Sequence, residues 1–109
     1  MIGTRNTGID VVWLAMKNAW SDRTFGPGTR LKGVIDHIRK ELVEVEENPC
    51  AEEWADIILL ALDGAHRQGY SATEILDAII NKQARNVRRE WPDWRESSQD
   101  EALHHTREA

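Results

Sequence analysis

Glu41-Leu-Val-Glu44-Val-Glu-Glu-Asn48-Pro49-Cys-Ala-Glu-Glu53-Trp-Ala-Asp56-Ile-Ile-Leu-Leu-Ala-Leu62 is the stretch whose reading decides the fold. Before it, Leu31, Val34, Ile35, Ile38, Leu42 and Val45 recur at steps of three and four, the apolar face of a helix rather than the alternation of a strand. After it, Ile57 to Leu62 is apolar on every side and predicts the most buried helix of the chain. Asn48-Pro49 reads as an N-cap followed by proline at the first helical position, so a second helix starts at once. Two helices joined this tightly run antiparallel as neighbours.

The same pattern extends outward. Val11, Leu14 and Ala15 share one face of a helix from about Asp10 to Trp20, and Ser21 to Gly28, with two glycines around Pro27, reads as a loop. Thr29 is the expected N-cap of the next helix, and Gly69 the stop of the one that ends near Gln68. Ser71-Ala-Thr-Glu74 is a capping box opening a helix to about Glu90, where Trp91-Pro92 closes it. The expected fold class is all-α, a four-helix bundle over residues 1–95, with 96–109 a polar tail, frayed or forming a short surface helix.

The chain has 109 residues, enough for one domain with a thin core that oligomerisation would help. With 14 basic and 19 acidic residues its formal net charge is −5, which argues against coating a nucleic-acid polymer or an anionic membrane. Ile57 to Leu62 is far too short to span a bilayer, and Met1 to Asp10 lacks the layout of a signal peptide, so the cytoplasm is the expected location. The single cysteine, Cys50, forms no intrachain disulfide and reads as a small residue near a helix start.

Chemistry enters through two acidic pairs, Glu41 with Glu44 and Glu53 with Asp56. Acidic pairs at this spacing are common on solvated faces, as at Glu74/Asp77 and Glu90/Asp93. These two differ in being carried by the arms of one hairpin: Glu44 stands at the height of Glu53 and Glu41 at that of Asp56, the levels about 4.5 Å apart. Four carboxylates then converge on one patch, where their mutual repulsion is relieved by a hard divalent cation, Mg2+ or Mn2+. The alternative is that all four face solvent.

Lys82, Asn86 and Arg89, at i, i+4 and i+7, put a phosphate-binding set on one face of the last helix. Their other reading is neutralisation of acids on neighbouring helices. His37, one turn before Glu41, and Asp63, two turns past Asp56, read as groups supporting the metal ligands, Asp63 alternatively as a helix-pairing group. Asp63 with His66 makes a single D-x-x-H, short of the two Glu-x-x-His motifs of a di-iron bundle. The five tryptophans read as core and interface, with Trp20 and Phe25, flanking the Gly-Pro-Gly loop, the candidates for a nucleobase. No Walker loop, dinucleotide fingerprint or nucleophile triad is present.

Glu41-Leu-Val-Glu44 followed by Glu53-Trp-Ala-Asp56, with Lys82-x-x-x-Asn86 beyond, resembles the E-x-x-E…E-x-x-D signature of the MazG-like all-α nucleoside triphosphate pyrophosphohydrolases. Phe25-Gly-Pro-Gly-Thr-Arg30, His37-Ile-Arg-Lys-Glu41, Leu62-Asp-Gly64 and the run from Asn86 to Trp94 look like its dATP/dGTP diphosphohydrolase branch, a guanine-nucleotide form of which is carried by phages that make 2-aminoadenine DNA. The gap between the two acidic motifs, Val45 to Glu52, is shorter than is usual in the family.

The resemblance implies hydrolysis of a purine NTP or dNTP, best dGTP, GTP or dATP, to the monophosphate and pyrophosphate with magnesium or manganese. It also implies a homodimer or homotetramer, in the host cytoplasm if the chain is virus-encoded. On this reading Glu44, Glu53 and Asp56 hold the metals, Glu41 ligates a metal or activates water, and Lys82, Asn86 and Arg89 neutralise the departing pyrophosphate. The other functions open to this sequence are hydrolysis of a different nucleotide, a pyrimidine dNTP or phosphoribosyl-ATP, and a helical protein-interaction module without activity.

Overall fold

A computed structural model describes residues 8–106. Most of the Met1 to Asp10 segment and the last three residues of the tail lie outside the described residues. Four helices follow one another: α1 Val11–Phe25, α2 Leu31–Glu47, α3 Ala51–Arg67 and α4 Ala72–Arg88, with one 3-10 turn at Trp94–Glu96. The fold is all-α, as the periodicity requires. The chain divides into two compact units between Leu76 and Asp77.

In the first unit α2 and α3 pack along each other as the antiparallel hairpin, and α1 lies on α3. Asn48 ends α2, its N–H donating to the Glu44 carbonyl at 2.9 Å, and its own carbonyl takes the Cys50 N–H at 2.8 Å. It is therefore the C-cap of α2 rather than the N-cap of α3, which begins one residue past Cys50. At the start of α2 the first helical bond runs from Val34 N–H to the Arg30 carbonyl, so Arg30, at φ 43, is the N-cap and Thr29 stands outside the helix.

The largest departure is in α1. It is capped by Asp10, whose carboxylate takes the Trp13 N–H at 2.8 Å, but it continues five residues past Trp20 through the stretch read as loop. The residue that holds those extra turns is buried and polar: Ser21 follows the fully buried Leu14 two turns on, with Asn18 buried between them. Tertiary bonds to Ser21 override the loop-like composition of Ser-Asp-Arg-Thr. Val11 and Ala15, expected on the apolar face, are exposed.

The core cluster joins Leu14, Leu62, Ala72 and Ile75, so the first turn of α4 closes over α1 and α3. Full burial of Leu14 is worth roughly 1.5–3 kcal/mol. The capping box is formed in both directions: Ser71 N–H donates to Glu74 Oε1 at 2.9 Å and Glu74 N–H to Ser71 Oγ at 3.1 Å.

Much of the expected core is not buried. Leu31, Ile35 and Leu42 of α2, Ile58 and Leu59 of α3, and all five tryptophans are exposed or half-exposed. Helical periodicity marks a face as apolar, but one chain of this size has too little surface to cover all such faces. In the second unit α4 ends at Arg88, two residues early, and Trp91 Nε1–H donates to the Asn86 carbonyl at 2.8 Å. The tail beyond the 3-10 turn is irregular, and Thr106 N–H returns to the Glu90 carbonyl at 2.8 Å, so this end is tied rather than frayed.

Candidate active site

Glu41 and Glu44 come from one face of α2 and Glu53 and Asp56 from the first two turns of α3. The hairpin brings one carboxylate oxygen of each to within 4.8 Å of the others. Glu41 is buried and the other three are partly so. His37, one turn earlier on α2, donates from Nε2 to Glu41 Oε1 at 3.1 Å.

No hydrogen-bond donor among the described residues reaches Glu41 Oε2 or Glu53 Oε2, although both atoms are buried. The electrostatics follow. A proton-sharing contact with Glu44, then desolvation, then the charges of Glu44 and Asp56 push the Glu41 carboxyl above its ordinary range, with His37 opposing. Desolvation first, then Glu44 and Asp56, pushes Glu53 up as well. Crowded carboxylates with buried oxygens that no donor reaches are left short of positive charge, and an all-oxygen donor set at this separation fits a hard divalent cation.

Alongside lies a cavity of about 270 Å³. Glu41, His37 and Asp56 line it on the acidic side, and Leu59, Leu60 and Asp63 continue the α3 wall. The α1 wall is Lys17, Trp20, Ser21 and Phe25. Trp20 and Phe25 meet edge to face, ring centroids 5.4 Å apart at 89°. These are the two aromatic residues that the sequence offered for a base.

Behind the cavity is a network the sequence reading missed. Arg67, its side chain 1% exposed, donates from Nε to Asp63 Oδ2 at 2.7 Å, from Nη2 to Ser21 Oγ at 3.0 Å, and from Nη1 to the carbonyls of Gly26 and Gly28 at 2.9 and 3.0 Å. Gly26 and Gly28 stand at φ 87 and 97, a region that L side chains rarely enter. Ser21 Oγ–H donates to Asp63 Oδ1 at 2.6 Å. Burial alone would raise the Asp63 carboxyl, but the bonds from Ser21 and Arg67 and the Arg67 charge outweigh it and hold it below its ordinary range.

Asp63 is thus a pairing group between α3 and α1, and His66 turns to a different partner, Asp22 Oδ1 at 2.9 Å. The signal for Arg67 was its i, i+4 spacing from Asp63. Lys82 and Asn86 lie on α4 within the second unit, and Arg89 just past its end, where Arg89 Nη1 donates to Asn86 Oδ1 at 3.0 Å.

Four converging carboxylates on an all-α hairpin, beside an aromatic-walled cavity, define a helical site with the donor set for a cation and the space for one part of an organic ligand. Over residues 13–109 the chain matches the family described as dATP/dGTP pyrophosphohydrolase, and it belongs to that family. It is an enzyme, a nucleoside triphosphate diphosphatase, which sets aside the reading as a protein-interaction module. No curated protein and no solved structure matches it. No helix among the described residues is long and apolar enough to cross a membrane.

Proposed function

We propose that this chain hydrolyses a purine nucleoside triphosphate, dGTP or dATP first and GTP by extension, between the α and β phosphates in a metal-dependent reaction. The observation that carries the reading is the pair of buried, donor-less oxygens, Glu41 Oε2 and Glu53 Oε2, within a group of four carboxylates. Glu44, Glu53 and Asp56 are the proposed ligands of Mg2+ or Mn2+, which when bound supplies charge neutralisation on the triphosphate.

Glu41 is oriented by His37 through Oε1, which leaves Oε2 to take the proton of the attacking water. The water oxygen bonds to the α-phosphorus, the bond to the bridging oxygen breaks, and pyrophosphate leaves with the electron pair. Trp20 and Phe25 are proposed to hold the base. Lys82, Asn86 and Arg89 are assigned to the triphosphate on their chemistry, as donors suited to phosphate oxygens. A homodimer or homotetramer is the proposed assembly, and the cytoplasmic nucleotide pool the proposed setting.

The test is pyrophosphate release from a panel of ribo- and deoxyribonucleoside triphosphates with magnesium or manganese and with chelator. Chelator-sensitive release, with the purine deoxynucleoside monophosphates as co-products, is the expected result. Preference for a pyrimidine dNTP or phosphoribosyl-ATP would replace the substrate. Silence from a folded, metal-supplied protein would overturn the reading.

A further inference from the structure

The cavity has two polar ends. Asp56, Leu59, Leu60 and Asp63 line it from one face of α3, and the seven residues from Asp56 to Asp63 correspond to about 10 Å of helical rise. One end is the carboxylate group at Glu41 and Asp56. The other is Asp63 with Ser21 and Lys17, and leucines lie between. At about 270 Å³ the cavity falls below the ~300 Å³ at which pockets for whole drug-sized ligands begin, so it takes one part of a nucleotide rather than all of it.

The far end is closed to a ligand in every group but one. Ser21 Oγ donates to Asp63 and accepts from Arg67, and both Asp63 oxygens are already bonded. Lys17 differs: among the described residues its ammonium makes no hydrogen bond and no ion pair, although it is half-buried on the cavity wall. Burial lowers its pKa and the Asp63 charge opposes that, so the ammonium is short of solvation and gains from an acceptor. Lysine offers donors only, so what it binds is an acceptor.

If the triphosphate is held at the acidic end, the nucleoside runs past Leu59 and Leu60 and the base arrives at Lys17. We propose that Lys17 reads the base, its ammonium donating to N7 of the purine ring and, in guanine, to O6 beside it. This rests on the nucleotide reading given above and goes beyond it by naming the atom that selects purines. Adenine and guanine share N7, whereas pyrimidines have none, and guanine adds a second acceptor where adenine carries an amino donor. Both purines are therefore accepted, with guanine favoured.

The experiment compares dGTP with 7-deaza-dGTP, which carries a C–H in place of N7, in the wild type, Lys17→Met and Lys17→Arg. The wild type is expected to prefer dGTP by about tenfold in kcat/KM, the size of one base contact. Lys17→Met, close in length and volume, removes the preference of dGTP over the deaza analogue and lowers use of the analogue as well, because 7-deazaguanine keeps O6, while Lys17→Arg keeps the preference. Equal use of the two nucleotides by the wild type overturns the proposal without recourse to any variant, and so does a preference that survives in Lys17→Met. The same ratio is read in calorimetric binding of dGMP and 7-deaza-dGMP. If no triphosphate is hydrolysed the proposed reaction fails, and the monophosphate pair still decides Lys17.

Discussion

Glu41 and Asp63 are both buried carboxyls of the same helical layer, and their surroundings push them in opposite directions. Asp63 is held low, so its contribution to stability is present above the ordinary aspartate range and is lost as pH falls through its depressed folded value. Glu41 and Glu53 are raised, so in the metal-free protein their ionisation weakens the fold as pH rises through their folded values. Thermal melts in chelator should therefore show stability increasing as pH falls through the raised values of Glu41 and Glu53, and then falling once Asp63 titrates. A melting midpoint that declines steadily from pH 7 downward would contradict this.

Substitution separates the two roles. Glu41→Gln should raise the midpoint in chelator by a few degrees, keep stabilisation by added metal through the proposed ligands Glu44, Glu53 and Asp56, and cost at least about 10²-fold in pyrophosphate release, the usual scale for losing a general base. Arg67→Met leaves Asp63 buried and unpaired and should cost roughly 3–5 kcal/mol in urea unfolding. Removing both charges with Asp63→Leu/Arg67→Met should cost less than the single change, and additive losses would refute the pairing. The carboxylates were legible in the sequence because i, i+3 pairs on a hairpin with a three-residue turn fix their own height. The Ser21–Asp63–Arg67 network was not, because Ser21 lies 42 residues from Asp63 and nothing local in Ser-Asp-Arg-Thr distinguishes a buried serine from a loop serine.

At the scale of elements, helix existence was written in periodicity and helix ends were written in bonds. The capping box at Ser71 was readable because both partners lie within one turn. Ser71→Ala should cost about 1 kcal/mol, visible as a lower urea midpoint with unchanged kcat. The end of α1 was unreadable because it depends on the Gly26-Pro27-Gly28 segment, whose two glycine carbonyls are taken by one guanidinium arriving from α3. That link holds the segment next to Phe25, and so the cavity wall, in place. Gly28→Ala forces a methyl group into a left-handed backbone and should cost about 1–2 kcal/mol. Because it acts through the wall rather than the carboxylates, it should raise KM for the nucleotide more than it lowers kcat. The reverse split would assign the loop to catalysis.

For the whole molecule the deciding quantity is how little the chain buries. Six apolar side chains form its buried set among the described residues, whereas Val12 and Met16, one turn apart on the outer face of α1, are 67% and 68% exposed. An apolar face this open on a chain with a thin core is covered most economically by another copy of the chain. The expected state is a homodimer or homotetramer by light scattering at micromolar concentration, with a melting midpoint that rises with protein concentration because association and folding are linked. Placing charge at both positions, Val12→Lys with Met16→Lys, should shift the population to monomer and remove the concentration dependence, while the pair in a monomeric protein would be close to neutral. A wild type that is monomeric, with a midpoint independent of concentration, would mean that the open face of α1 has no self-partner. The stability of the fold would then rest on contacts within one chain: the small core around Leu14, the hairpin and the Arg67 network.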